Sequence, residues 1–203
     1  MPRDANDDRI RKVEIDARNL RGIAHPVRVR LLALLRSEGP STATRLAARL
    51  GLNSGATSYH LRQLETYGFV AEDAARGTAR ERWWRPLHDS TLAAPADLLQ
   101  GETSELGEEY LRALAMFAAD ATLRAVDEWG RRPETWRDVG TLSDYALRLT
   151  PAELDALLQD LFAVLDRARW HDADDAPADS RPVTVQLQAF PTPGTIDDDA
   201  VDG

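Results

Sequence analysis

The run from Ser58 to Gln63 carries side chains that can read the edges of nucleic-acid bases. It lies in a predicted helix from Ser54 to about Tyr67, whose apolar residues recur at helical spacing. Arg62 and Gln63 can each form two hydrogen bonds to one base, which is the geometry of direct readout in the major groove. The predicted base-contacting residues are Ser54, Thr57, Ser58, Tyr59, Arg62 and Gln63, with Thr57 pointing partly inward.

Four further arginines lie where phosphate contacts are expected. Arg45 and Arg49 belong to the preceding predicted helix, and Arg76 and Arg80 flank the turn of a predicted hairpin. Arginine binds phosphate through charge and hydrogen bonds, and such contacts position a protein on a duplex without reading its sequence.

The charge of the chain is divided between two regions. The formal net charge is −9, which alone argues against a nucleic-acid partner. From Arg18 to Pro86, however, the chain contains twelve arginines and only five acidic residues. The net charge of this stretch is therefore +7, and that of the remainder is −16. A basic block joined to an acidic block is compatible with a DNA-binding surface in the first half.

The elements around these residues predict a winged helix-turn-helix. Asp16 can cap a short helix over 17–24, and the next helix begins at Pro26 and ends before Gly39-Pro40. A further helix is capped by Thr42 or Ser41 and ends at Gly51. The helix from Ser54 follows after two residues, with Asn53 as its cap, and two predicted strands, 69–73 and 80–84, flank a turn. The second helix of such a pair enters the major groove.

The same segments resemble a known family. Residues 22–32 (GIAHPVRVRLL), 56–64 (ATSYHLRQL) and 68–70 (GFV) are similar to the opening, the recognition helix and the wing of ArsR-type winged-helix regulators. The resemblance covers residues 17–88 and implies a dimeric bacterial transcription factor, usually a repressor released by an inducer. The thiolate metal sites of the family's metal sensors cannot exist here, because the chain has no cysteine.

The whole chain is predicted to be mainly α-helical with a small β component. Its part after the winged helix-turn-helix predicts an accessory region of mixed structure. A linker over 89–103 leads to a helix from Ser104 to about Trp129, long enough that its apolar face is expected to pack against a symmetry mate. Alternating strands over 144–149 and 183–188 flank a helix that begins with the capping box of Thr150 and Glu153. The predicted units are an N-terminal arm (1–16), the DNA-binding domain (17–88), the linker, a dimerisation and accessory domain (104–190) with a small α+β unit, and an acidic disordered tail (191–203).

No catalytic or metal centre is predicted. The chain carries no glycine-rich phosphate loop, no nucleophile elbow and no paired carboxylates in an apolar frame, which argues against an enzyme. His25 and His60 are expected to be structural, at a helix entry and at the inward edge of the recognition helix. His171 with Asp172, Asp174 and Asp175 has metal-ligand residue types, but such acidic runs are usually solvated. No cofactor is expected.

Tryptophans raise the question of an effector. Trp129, Trp136 and Trp170 lie near helix ends in the acidic half, where they could line an apolar pocket or fill a dimer core. Trp84 is expected under the wing, with Trp83 on the opposite face. The sequence thus predicts a dimeric DNA-binding repressor in the cytoplasm with no membrane partner. Two alternatives remain: a regulator that senses a small molecule, and a protein-interaction module with incidental DNA affinity.

Overall fold

A computed structural model describes residues 10–77, 81–168 and 176–195. Within these ranges the strands are β1 (Lys12–Glu14), β2 (Ser41–Thr42), β3 (Val70–Glu72), β4 (Trp83–Pro86) and β5 (Ser90–Leu92). The helices are α1 (Ala17–Ile23), α2 (Pro26–Glu38), α3 (Ala43–Leu50), α4 (Ser54–Thr66), α5 (Pro95–Leu98), α6 (Ser104–Trp129), α7 (Glu134–Arg137) and α8 (Pro151–Asp166). The prediction of a mainly helical fold with a small sheet is confirmed.

Helices α1 to α4 form the core of the first half. Their buried leucines come from all four helices, and Leu20, Leu31, Leu61 and Leu64 are fully inaccessible to solvent. The predicted caps explain where the helices begin, because Asp16 accepts hydrogen bonds from the amides of Arg18 and Asn19 and closes a capping box. Each helix therefore begins where a side chain replaces the missing hydrogen-bond partners of its first turn.

A three-stranded antiparallel sheet in the order β2, β4, β3 forms the wing. In its register Ser41 pairs with Trp84, and Ala71 pairs with Arg85. Trp84 is only 2% exposed and belongs to the core, as predicted, whereas Trp83 on the other face is half-buried. The central strand thus fastens the wing to the helical core through one large aromatic side chain.

Strand β5 lies in the stretch predicted as a linker and pairs in parallel with β1. Arg11 reinforces this pairing, because its side chain donates to both carboxylate oxygens of Asp89, at 3.1 and 2.7 Å. Arg36 of α2 donates from Nε to the carbonyl of His88 at 2.8 Å. Burial lowers the pKa of Arg36 to about 10, so the guanidinium remains charged at neutral pH. These contacts fix the chain just beyond the wing.

The long helix α6 has the bounds that the sequence predicted. Its first half packs within its own chain, where Tyr110 is 2% exposed and Gly107 lies beneath Leu98 of α5. Its second half is open, since Leu123 is 66% and Val126 is 49% exposed. The expectation that this helix cannot be buried within one domain therefore applies to its C-terminal half.

The small α+β unit predicted after α6 is wrong in its strands. Segments 144–149 and 183–188 have no regular secondary structure, and neither is hydrogen-bonded into a sheet within the described residues. A β-strand needs a neighbouring strand to accept and donate its backbone hydrogen bonds, and no described strand pairs with these segments. Helix α8 begins at the predicted capping box but ends at Asp166, earlier than the predicted Trp170. The first part of the arm, 1–9, and the tail beyond 195 lie outside the described residues.

Candidate nucleic-acid interface

Helix α4 is presented by a tight connection from α3. Gly51 ends α3 with φ of 66°, a left-handed conformation that favours glycine, and its amide donates to the carbonyl of Ala47. Two residues later the side chain of Asn53 accepts from the amide of Ala56 at 2.7 Å and caps α4. Since Leu61 and Leu64 anchor the inner face of α4, its outer face is fixed toward solvent.

Most of the predicted base-contacting side chains lie on that outer face. Ser54, Tyr59 and Arg62 are exposed, and Ser58 and Gln63 are half-exposed. Tyr59 is 55% exposed and contacts the ring of His60 edge-on at 5.4 Å. The arrangement offers hydroxyl, amide and guanidinium groups together, which are the groups that recognise bases in a groove.

The structure does not support the prediction that Thr57 contacts a base. Its side chain is fully buried, and its hydroxyl donates to the carbonyl of Asn53 at 3.0 Å. The hydroxyl is therefore committed to the helix, and the methyl group belongs to the core. Thr57 cannot contact a base in this conformation.

A cleft of about 310 Å³ joins α4 to α3 and the wing. Ser58 and Arg62 line one side of it. The other walls come from the start of α3 and from the wing, and comprise Thr42, Ala43, Thr44, Glu81, Arg82 and Trp84. The recognition helix and the wing thus share one concave surface, and the sequence pattern did not single out Thr44 or Arg82.

The two arginines of α3 are both exposed but are held differently. The guanidinium of Arg45 lies 4.8 Å from the ring centre of Trp83, a cation–π contact between α3 and β4. Arg49 donates to Glu38 at 2.5 Å, and this hydrogen bond raises the pKa of Arg49. Both charges stay available at the surface, although that of Arg49 is shared with a carboxylate.

The wing arginines are paired within the hairpin. Arg76 lies 3.4 Å from Asp73, and Arg82 lies 3.1 Å from Glu72 and 5.7 Å from the ring centre of Trp84. Both partners of the Arg82–Glu72 pair are exposed. Exposed pairs are weak, so Arg82 can exchange its carboxylate for a phosphate at small cost. Arg80 lies outside the described residues.

Two histidines connect the recognition helix to α2. His25 caps α2, because its Nδ1 accepts from the amide of Val27 at 3.1 Å, as expected of a helix-entry residue. Its ring centre is 4.5 Å from that of His60. Burial lowers the pKa of both histidines, and the charge of Arg28 lowers it further. The pair is therefore neutral at physiological pH and serves packing.

The effector residues predicted from tryptophan spacing stay a prediction. Trp129 and Trp136 are half-buried; the guanidinium of Arg132 lies 4.8 Å from the ring centre of Trp129. A second cleft, of about 390 Å³, lies elsewhere, between the start of α2 and the first half of α6. It is lined by Pro26, Glu105, Glu108, Glu109, Arg112, Ala113 and Met116. Trp170 lies outside the described residues.

The described part of the chain contains no group of three side chains arranged to hold a metal ion. His171 and the acidic residues beside it lie outside those ranges. No described helix is long and apolar enough to cross a membrane.

Comparison with known protein families finds a match in the first half of the chain. Residues 23–73, which include α2, α3, α4 and β3, match a family model described as a helix-turn-helix domain. The chain contains a helix-turn-helix domain. The matched range lies within the predicted DNA-binding domain, so the helix-turn-helix prediction is confirmed, and the described sheet supplies its wing. A comparison with curated proteins found no match.

Several solved structures are similar to parts of the chain. One is the homodimeric winged helix-turn-helix DNA-binding domain of a possible ArsR-family transcriptional regulator from Mycobacterium bovis, with 23% identity, 53% of this chain and 80% of that chain covered, and a TM-score of 0.32. Another is a possible transcriptional regulator for arsenical resistance, with 28% identity, coverages of 55% and 95%, and a TM-score of 0.31. A third is the protein RV1404 from Mycobacterium tuberculosis, with 17% identity, coverages of 74% and 82%, and a TM-score of 0.30. Because these TM-scores are low, the description of the helix-turn-helix domain rests on its own contacts.

Proposed function

We propose that this chain is a sequence-specific DNA-binding transcriptional regulator of ArsR-like type that acts as a repressor. The observation that carries the proposal is the outer face of α4. Arg62, Ser58 and Tyr59 project from a helix whose inner face is locked into the core, beside a wing that shares the same cleft. A rigidly held helix with exposed groups for base recognition is what major-groove readout requires.

Charge supports the same orientation on DNA. The basic stretch from Arg18 to Pro86 contains the helix-turn-helix domain, while the rest of the chain is acidic. In this proposal Arg45, Arg49 and Arg76 bind phosphates and position the domain, whereas Arg62 and Gln63 read bases. The acidic half then discourages binding in other orientations.

The proposal includes a homodimer with α6 as its main dimer element. Two recognition helices related by a two-fold axis would read an inverted repeat with half-sites about one duplex turn, or 34–36 Å, apart. The exposed second half of α6, with Leu123 and Val126, is the surface that favours such pairing. An effector that changed the distance between the two recognition helices would change operator affinity.

The experiment is a selection from random duplexes followed by affinity measurements with variants. We expect the full-length protein to enrich an inverted repeat and to bind it less tightly as salt rises. Arg62→Ala is expected to weaken binding to the enriched duplex about 5- to 100-fold, to relax selectivity at one position of each half-site, and to leave the salt dependence unchanged.

Arg112→Ala is the matched control, because it removes an arginine from the exposed face of α6, where it pairs with Glu108. It should bind the enriched duplex like the unaltered protein. A selection that enriches no sequence, or an equal effect of Arg62→Ala on enriched and scrambled duplexes, contradicts the proposal.

A further inference from the structure

The chain exposes far more surface than its mass predicts. Its accessible area is 14860 Å², whereas a compact monomer of 22.5 kDa exposes about 9,500 Å². The 27 residues outside the described ranges cannot account for all of this difference. Even at about 160 Å² each, the value for an unfolded chain, they leave the described residues with about 2,000 Å² more than a compact chain of the same size.

The excess lies in the C-terminal part. No described residue after Ala118 is buried, and α8 has no buried residue although its apolar side chains share one face. The large apolar side chains that are more than half exposed in this part are Leu123, Val139, Leu142, Tyr145, Leu147, Val164, Val183, Val185 and Phe190. Exposed apolar surface of this extent is typical of a contact site in a soluble protein.

Two segments within this region have the sequence pattern of strands, but neither pairs with a strand among the described residues. Tyr145, Leu147 and Leu149 alternate with other residues in the first segment, and Val183, Val185 and Leu187 do so in the second. No backbone amide of 144–149 or 183–188 donates a hydrogen bond to a described residue. Period-two alternation suits a chain with one covered face, so a covering surface is missing from the single chain.

Few polar contacts join this region to the rest of its own chain. Gln186 donates to the carbonyl of Ala118 at 3.2 Å and lies 3.1 Å from the hydroxyl of Thr122. Lys12 pairs with Asp166 at 2.5 Å. These contacts fasten the region beside α6 without covering its apolar side chains.

We propose that residues 139–168 and 176–190 pack against a second copy of this chain, with the apolar faces of 144–149, 183–188 and α8 on the partner. The inference rests on the homodimer of the proposed function and adds that α6 is not its only contact. About 2,000 Å² from each copy makes a total of about 4,000 Å², which lies within the range of obligate homodimers.

Continuity and charge favour a second copy over other occupants. The segment 183–188 lies beside α6, because Gln186 contacts Ala118 and Thr122. On α6 itself Met116 is 72% exposed and Leu123 is 66% exposed. By sequence, 139–168 and 176–190 together carry a net charge of −3. An acidic surface does not attract DNA or an anionic membrane. Both copies supply the same apolar surface, which a two-fold contact requires.

The test combines sedimentation with hydrogen–deuterium exchange of the full-length protein. We expect a dimer in which the amides of 144–149 and 183–188 exchange at least about 10-fold more slowly than an unfolded chain, with protection lost on dilution to monomer. Leu147→Asp should raise the dimer dissociation constant at least about 10-fold and abolish that protection. Leu147 is 61% exposed in the single chain, so folding of the monomer should be unaffected.

Ala146→Asp is the control, because it places the same charge on the opposite face of the same segment. It should retain both the dimer and the protection. A dimer whose 144–149 and 183–188 amides exchange at the unfolded rate overturns the inference while leaving the α6 dimer intact. A monomer at every concentration overturns both this inference and the α6 dimer. Slow exchange of these amides in a monomer also overturns the inference, because it shows that the segments are covered by their own chain. Failure of the proposed function would show instead in the duplex selection.

Discussion

Single side chains decide which face of the helix-turn-helix domain can meet DNA. Arg62 and Thr57 lie five positions apart on α4, yet Arg62 is exposed and Thr57 is fully buried. The sequence predicted both as contacts because both lie within the same short run. A difference in angle around the helix axis of about 140° separates a group that can reach a base from one that packs against leucine.

The described histidines make stability depend on pH. Burial is the main cause that lowers the pKa values of His25, His60 and His88 in the folded chain. Below about pH 6.5 the unfolded chain therefore binds protons that the folded chain resists. We expect the free energy of unfolding to be constant just above pH 7 and to fall as pH drops through 6.5 toward 5.

The measurement is the midpoint of urea unfolding at pH 7.5 and 5.5, with His25→Asn beside the unaltered chain. Asparagine keeps an acceptor for the amide of Val27 but does not titrate, so the variant should lose less stability between the two pH values. An identical loss in both proteins would show that His25 does not contribute.

At the scale of elements, close approach between α1 and the end of α4 holds the recognition helix in place. A Cβ atom on Gly22 would lie 2.3 Å from Cβ of Tyr67, the residue that follows α4. We expect Gly22→Ala to force the two elements apart and to lower the free energy of unfolding by about 1–3 kcal/mol. Affinity for the selected duplex should fall as well, because α4 would tilt.

Gly130→Ala is the control for this substitution. Gly130 follows α6 with helical backbone angles, and nothing lies within 4 Å of the position that its Cβ would take. Thermal unfolding of both variants gives the comparison. Equal unfolding temperatures for the Gly22→Ala, Gly130→Ala and unaltered proteins would contradict this prediction. They would mean that Tyr67 can move away from position 22 without loss of stability.

Local signals account for the elements that the sequence predicted well. Asp16, Thr42, Asn53 and Thr150 each cap the helix that they were expected to cap, and Gly51 ends α3. Such signals act within one turn of the chain, so they can be read from neighbouring residues. The outer face of α4 could be predicted for the same reason.

Distant partners account for what the sequence did not predict. Strand β5 exists because β1, about eighty residues earlier, lies beside it. The predicted strands 144–149 and 183–188 have the right alternation but no neighbour in the chain, and alternation does not specify where a neighbour lies. Arg82 joins the cleft through the fold of the wing, which no local spacing reveals.

At the scale of the whole molecule, a carboxylate of the acidic half acts electrostatically on one of the arginines proposed to bind phosphate. Glu38 pairs directly with Arg49, and the negative charge of Glu128, at the end of α6, also raises the pKa of this arginine. The Glu128 carboxylate therefore competes electrostatically with a DNA phosphate for Arg49. Its charge alone should weaken DNA binding. This effect acts over distance and is screened by salt.

Glu128→Gln should therefore raise affinity for the selected duplex up to a few-fold at low salt, and the gain should vanish near 0.3 M salt, where the screening length is only several ångströms. Glu105→Gln is the control, since it removes an exposed carboxylate near the start of α6 beside Pro26. Fluorescence anisotropy with a labelled duplex across a salt series measures both variants.

A gain in affinity that persists at high salt would indicate a direct steric clash with DNA, and equal gains in affinity from the two variants would indicate a general effect of net charge. Only a gain confined to Glu128→Gln and to low salt places the acidic end of α6 beside the bound phosphates.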